Sequence, residues 1–162
     1  MTEKPEKKTI SLEARAINLL SRREYSKAEL TQRLRAHANS TEELEAVVNK
    51  LEQRKWLSDE RAAEQWVQAK SSKYGDRYLK QLMREKGIDA SLANDTIQDS
   101  ADDEKARVKQ VWLKKFGQKP DSPQDKMKQM RFLASRGFSM SSIQYVLSLD
   151  DGEIDQSADD EW

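Results

Sequence analysis

A chain of 162 residues with no cysteine, 36% hydrophobic and 36% charged residues and a mean hydropathy of −0.98 excludes a disulfide framework and a thiolate metal site, and argues against a deep core. Five glycines and three prolines are too few for an all-β chain full of tight turns, so thin helical layers are expected. The 29 basic and 29 acidic residues cancel only formally: seven acids and no base lie between Asp150 and Glu161, which leaves 29 bases against 22 acids, net +7, over Met1 to Leu149.

The opening MTEKPEKKTI is polar, lacks the apolar run of a signal peptide and reads as a flexible N-terminus over residues 1–10. No segment approaches the roughly 20 apolar residues that span a bilayer, so a soluble cytoplasmic protein without membrane contact is expected. A first helix covers about Leu12 to Arg22. Tyr25-Ser26-Lys27-Ala28-Glu29-Leu30 then carries a capping box (Ser26, Glu29) and a hydrophobic staple (Tyr25, Leu30), opening a helix to about Arg35. Ser40 with Glu43 makes a second capping box, and Leu44, Val47, Val48 and Leu51 form an amphipathic stripe. Trp56-Leu57-Ser58-Asp59 closes this group and caps a helix from about Glu60 to Ser72, which Tyr74-Gly75 breaks.

Gly75 to Ile97 reads as two helices around one sharp joint. Tyr78, Leu79, Leu82 and Met83 recur at helical spacing, with Arg77, Lys80 and Arg84 on a different face. Lys86 stands at the negative end of the helix dipole, Gly87 suits the left-handed residue past a helix end, Asp89 caps the next helix, and Ile88 staples to Ala93. The joint returns as Arg136-Gly137-Phe138-Ser139, with Leu82 matched by Phe132, Ile97 by Leu147, and Ile143 as staple partner of Phe138. Between the two joints lie a helix with Val108, Val111, Trp112 and Phe116, a stop at Gly117, and a Ser122-Pro123 helix start. Nothing alternates at period two for long enough to be a strand. The expectation is therefore nine helices in three groups of three, a helical array whose short members are stabilised by packing on their neighbours. The boundaries are 11–57, 58–99 and 100–149, followed by an acidic disordered tail over 150–162.

Catalysis has little support in these residues. The one histidine, His37, lies in a loop with no partner that can be placed. No glycine-rich phosphate loop is present, and no spacing of carboxylates singles out a metal site, so no cofactor is expected. Bases recur on the polar faces: Arg15, Arg22 and Arg23; Arg77, Lys80 and Arg84; Arg107, Lys109, Lys114 and Lys115; Lys126, Lys128 and Arg131. Such faces can meet phosphates or an acidic protein groove, although any one of them equally suits a solvated helix face. Trp56, Trp66, Trp112 and Tyr78 sit on apolar stripes and are expected in the core. The tail, with Trp162 at its far end, reads as a solubilising segment. The alternative is that it folds back on the basic body and competes with an anionic partner.

The order of these features resembles the RecX family, bacterial regulators of the RecA recombinase. The resemblance rests on Ala16-Ile17-Asn18-Leu19-Leu20 with Tyr25 to Leu30, on Trp56-Leu57-Ser58-Asp59-Glu60-Arg61, on Tyr74-Gly75 with Leu82 to Ile88, and on Arg131-Phe132-Leu133 through Arg136-Gly137-Phe138. It spans about residues 11–149. The chain departs from the family pattern at Lys55, where glycine is common, at Ala62, where an aromatic is common, at Ser58 for Asp and at Trp56 for Tyr. The resemblance implies an all-α protein of three tandem three-helix repeats in a curved, elongated array, without enzyme activity. It implies binding in the groove of the RecA filament on DNA, where such proteins limit filament growth and suppress ATP hydrolysis, strand exchange and the co-protease role in the SOS response; a monomer is expected. Contact with single- or double-stranded DNA is a further expectation. The residues assigned to partner contact are Arg77, Lys80, Arg84, Lys86, Arg131 and Arg136, with helix C-terminal charge as the competing role of Lys86 and Arg136. The runner-up reading is a stand-alone basic helical module that binds DNA or RNA.

Overall fold

The computed structural model describes residues 9–155. The segment expected to be flexible over residues 1–10 and the acidic tail over 150–162 fall mostly outside them. The described residues form ten helices and no strand: α1 (Leu12–Leu20), α2 (Lys27–Arg35), α3 (Thr41–Gln53), α4 (Asp59–Lys70), α5 (Asp76–Glu85), α6 (Ala90–Gln98), α7 (Glu104–Lys115), α8 (Pro123–Ser135), α9 (Met140–Leu147) and α10 (Asp151–Asp155). The first nine follow the expected order. The tenth occupies the start of the acidic segment, where no helix was expected.

The chain divides into two compact units, the first reaching to Gln65 and including Lys86–Ile88, the second holding Trp66–Glu85 and the residues from Asp89 onward. In the first unit α1, α2 and α3 bury Leu12, Ala16, Tyr25, Leu30, Leu34, Leu44, Val48 and Leu51 in one cluster. Ser11, Ser26 and Ser40 each accept a backbone N–H from the first turn of their helix, which satisfies donors that have no partner within the helix. The two capping boxes are only partly made. Glu43 reaches the N–H of Asn39 rather than that of Ser40, and Glu29 turns away to the Arg23 guanidinium at 2.7 Å. A charged partner draws a carboxylate more strongly than a backbone amide does.

The end of α3 shows what a side chain costs at a left-handed helix stop. The N–H of Lys55 bonds to the carbonyl of Glu52, and that of Trp56 to Leu51. This helix stop needs a left-handed residue at position 55, and Lys55 takes it with φ 61°. The same bonds close α8, from Gly137 to Ala134 and from Phe138 to Leu133, with glycine in the left-handed place. Lys55→Gly is therefore expected to stabilise the protein by about 0.5–1 kcal/mol, the left-handed penalty of a side chain less the extra freedom glycine gives the unfolded chain. A rise in the urea midpoint at unchanged m-value checks it.

In the second unit Val108, Val111, Trp112, Leu133, Phe138, Ile143 and Val146 form a buried cluster. The Trp112 indole N–H donates to the buried Gln129 amide oxygen at 2.8 Å. At the repeated joint Gly87 and Gly137 have φ 72° and 86°, Asp89 and Ser139 cap α6 and α9, Phe138 and Ile143 share one buried cluster, and Ile88 and Ala93 are each buried. Of the aromatics expected in the core, Trp112 is fully enclosed, Trp66 and Tyr78 are half-buried, and Trp56 is 49% exposed. Trp56 lies next to the left-handed Lys55, with the Arg54 guanidinium 5.7 Å from its ring.

Candidate partner-binding surface

Within the second unit the joint between α8 and α9 docks onto the start of α5. The Gly75 N–H donates to the Arg136 carbonyl at 2.8 Å and the Arg77 N–H to the Gly137 carbonyl at 3.2 Å. First-turn amides of a helix lack partners inside it, and here carbonyls distant in sequence supply them. Gly75 and Gly137 permit the approach, since a Cβ on Gly75 would collide with the backbone of Gly137 and Phe138.

This docking gathers rings and cations. Tyr74 and Tyr78 stack with centroids 3.8 Å apart and planes 12° from parallel. The Arg136 guanidinium lies 5.4 Å from the Tyr74 centroid and 5.1 Å from that of Phe132. Lys115 approaches Phe132 at 5.3 Å, and Phe116 meets Phe132 edge-on at 5.5 Å. Arg77 donates to the Ala134 carbonyl at 3.1 Å. The half-exposed rings thus hold Arg136 and Lys115 by their π faces. Burial, then the neighbouring Tyr74, raises the Tyr78 phenol above its ordinary pKa, so it stays a neutral donor.

Two polar anchors lie beneath. Arg107 is buried and donates to the Asp76 carboxylate at 2.8 Å and to the Ser71 and Tyr74 carbonyls at 2.9 Å each. Glu104 accepts the Asp76 and Ser139 N–H groups and the Ser139 and Ser142 hydroxyls, placing a negative charge at the N-termini of α5 and α9. Burial would raise its pKa, but the hydrogen bonds from Ser142, Ser139 and Asp76 together outweigh that and hold it below the ordinary carboxylate value.

The six bases assigned to partner contact separate in this structure. Arg77, Lys80 and Arg84 are exposed along α5, on the side away from the buried Leu79 and Met83. Arg77 and Arg136 come together at the joint, and Arg131 is exposed on α8. Lys86 belongs to the first unit, where its ammonium lies 3.3 Å from Glu29. Burial would raise the Glu29 pKa, yet the Arg23 and Lys86 charges and hydrogen bonds together hold it low. Lys86 thus has an ion-pair role beside the two weighed for it. Arg107, read as a polar-face base, is instead an internal clamp. Its place in the sequence carried the signal, because Arg107, Val108 and Val111 share one helical face. Tyr74, Phe132 and Lys115 had no such signal, since Tyr74 meets Arg136 through the docked joint and Lys115 meets Phe132 through the packing of α7 on α8.

His37 is exposed. Among the described residues no group of three His, Asp or Glu could hold a metal ion, and no helix is long and apolar enough to cross a membrane.

Three family models cover most of the chain: the first three-helix domain of RecX over residues 14–51, the second over 58–97 and the third over 102–147. The regulatory protein RecX of Chromobacterium violaceum is 44% identical over 138 residues, 85% of this chain and 90% of that protein. Its counterpart in Neisseria meningitidis serogroup B is 41% identical over 151 residues, covering 92% and 96%. The crystal structure of RecX from Lactobacillus salivarius superposes with a TM-score of 0.72 at 22% identity, over 90% of this chain and 95% of that one, and shows the shared fold. All-α architecture, three consecutive three-helix matches and identity above 40% along nearly the whole chain agree, and the chain belongs to the RecX family of regulatory proteins.

Proposed function

We propose that this protein regulates a RecA-type recombinase by binding RecA–DNA filaments, where it limits filament growth and suppresses ATP hydrolysis, strand exchange and co-protease activity in recombination, DNA repair and the SOS response. The observation that carries this reading is the run of exposed bases on α5, Arg77, Lys80 and Arg84, continued by Arg136 on the aromatic surface of the adjoining joint. Rings that hold the cations in place reduce the side-chain ordering that binding would otherwise cost. The protein acts in the cytoplasm as a monomer, and its repeats divide at 11–57, 58–99 and 100–149. Arg131 extends the contact surface along α8, and Lys86 contributes beside its pairing with Glu29.

The test is ATP hydrolysis by RecA on excess single-stranded DNA with substoichiometric protein added. A progressive fall is expected, because few molecules halt the growth of a long filament. The variant R77E/K80E/R84E should keep its helicity and need about tenfold more protein for the same effect, at about 0.5 kcal/mol for each exposed charge. Full inhibition by that folded variant would remove α5 from the contact surface.

A second reading has its own observation, the half-exposed rings of Tyr74 and Phe132 beside Arg136. Rings and guanidinium groups together suit unpaired bases and phosphates, as in a stand-alone DNA- or RNA-binding module. Tight, steeply salt-dependent DNA binding with no effect on RecA would favour it.

A further inference from the structure

At the ends of α5 and α8 the left-handed residue is glycine, and the apolar residue after it, Ile88 or Phe138, is buried. The end of α3 departs on both counts. Lys55 holds the left-handed place at φ 61°, Trp56 after it is 49% exposed, and Leu57 fills the core position instead. Arg54, Lys55 and Trp56 therefore stand in a row at the surface of the first unit, with the Arg54 guanidinium 5.7 Å from the ring centroid. A lone exposed ring needs no explanation. A lysine kept in a strained conformation that glycine would relieve does need one, because such strain clusters at functional sites.

We infer that Arg54, Lys55 and Trp56 form a binding site for single-stranded nucleic acid, in which an unpaired base stacks on the indole while the flanking phosphates meet the guanidinium and the ammonium. The ring calls for a π face, and the two cations call for negative charge beside it. A single strand offers both in every nucleotide, whereas a duplex hides its base faces in the stack. The nearby acids do not cancel the cations. Glu13 pairs with Lys50 at 2.9 Å and reaches Arg54 only at 4.0 Å, and Glu52 pairs with Lys27 at 3.2 Å. Lys55 is exposed and forms no ion pair with a described residue. An apolar pocket on a protein would enclose the indole but leave the strained lysine without a role. The site belongs to the first unit and shares no residue with the ring-and-cation surface of the second. It stands whether or not the protein acts on a recombinase.

The test is binding of the full-length protein to fluorescein-labelled oligo(dT) at low salt, read by anisotropy with no recombinase present. Trp56→Leu keeps the apolar bulk but loses the indole face, and should bind about fivefold to a hundredfold more weakly. Trp56→Phe should keep most of the affinity. Lys55→Gly should gain stability yet bind about threefold more weakly. Its plot of log K against log salt should flatten by about 0.7, the loss of one phosphate contact. Oligo(dT) should quench part of the emission of the four tryptophans, and that part should vanish in Trp56→Phe. Unchanged affinity in Trp56→Leu would overturn the inference, as would quenching that persists in Trp56→Phe. So would no binding to oligo(dT), or equal competition by a duplex of the same length. A Trp56 signal that appears only with RecA protein and no DNA would overturn it in favour of a protein partner.

Discussion

Replacing Arg107 by methionine is expected to destabilise the second unit by roughly 2–4 kcal/mol, read as a fall in the urea midpoint. Methionine preserves most of the apolar stem, so the loss isolates the guanidinium. That group lies 4% exposed and satisfies three acceptors at once, the Asp76 carboxylate and the carbonyls of Ser71 and Tyr74. Without it the two carbonyls lose their donor and Asp76 loses its cation. Because Asp76 keeps 31% side-chain exposure, water recovers part of the deficit, which sets the figure below that of a fully enclosed pair. Arg107→Lys should cost less than methionine but more than 1 kcal/mol by order of magnitude, because an ammonium cannot present a planar fork to acceptors in three directions. Asp76→Asn added to Arg107→Met should restore part of the loss, since the unpaired charge is then gone. A methionine variant as stable as the parent would show that the guanidinium's hydrogen bonds and ion pair contribute no net stability. The clamp also holds the Tyr74 backbone, so the variant should lose near-ultraviolet circular dichroism from the Tyr74–Tyr78 stack at temperatures below unfolding.

How far the sequence reveals this molecule depends on how local each cause is. The two joints were legible because a left-handed glycine, a cap and a staple are chosen within six residues of one another. Helix order followed for the same reason. The capping boxes were half-legible. Ser26 and Ser40 cap as their types require, but Glu29 is drawn off by Arg23 and Lys86, which no local pattern reveals. The exposed row Arg77, Lys80 and Arg84 was legible from helical period alone. The ring-and-cation surface was not, because Tyr74 meets Arg136 only after Gly75 and Gly137 bring two distant backbones together, although Phe132 and Arg136 are helical neighbours four residues apart. Glu104 was hidden similarly. As a first-turn acid of α7 it looks like an ordinary dipole partner, yet its hydrogen bonds go to the starts of α5 and α9.

Gly137→Ala is expected to cost roughly 3–5 kcal/mol, the sum of a left-handed side chain, overpacking and weakened hydrogen bonds. An added Cβ would lie 2.5 Å from Tyr78 Cβ and 2.6 Å from Tyr78 N. The Tyr78 backbone is part of α5 and cannot yield as a side-chain tip would. The joint must instead move off the helix, stretching the bonds from Gly75 to the Arg136 carbonyl and from Arg77 to the Gly137 carbonyl. Gly117 is the internal control. It has φ 65°, but an added Cβ there would meet only the Leu113 carbonyl at 3.3 Å. Gly117→Ala therefore reads the left-handed penalty less the freedom glycine gives the unfolded chain, at about 0.5–1 kcal/mol. The difference between the two variants measures the close approach of joint and helix. Equal losses would mean that the approach relaxes freely and that conformation alone selects the glycine. A larger loss at Gly137, accompanied by a fall in the Tyr74–Tyr78 signal, would tie the assembly of the aromatic surface to a single missing side chain. In that case the position is occupied by glycine for two reasons at once: the helix stop needs its φ, and α5 needs its absent Cβ.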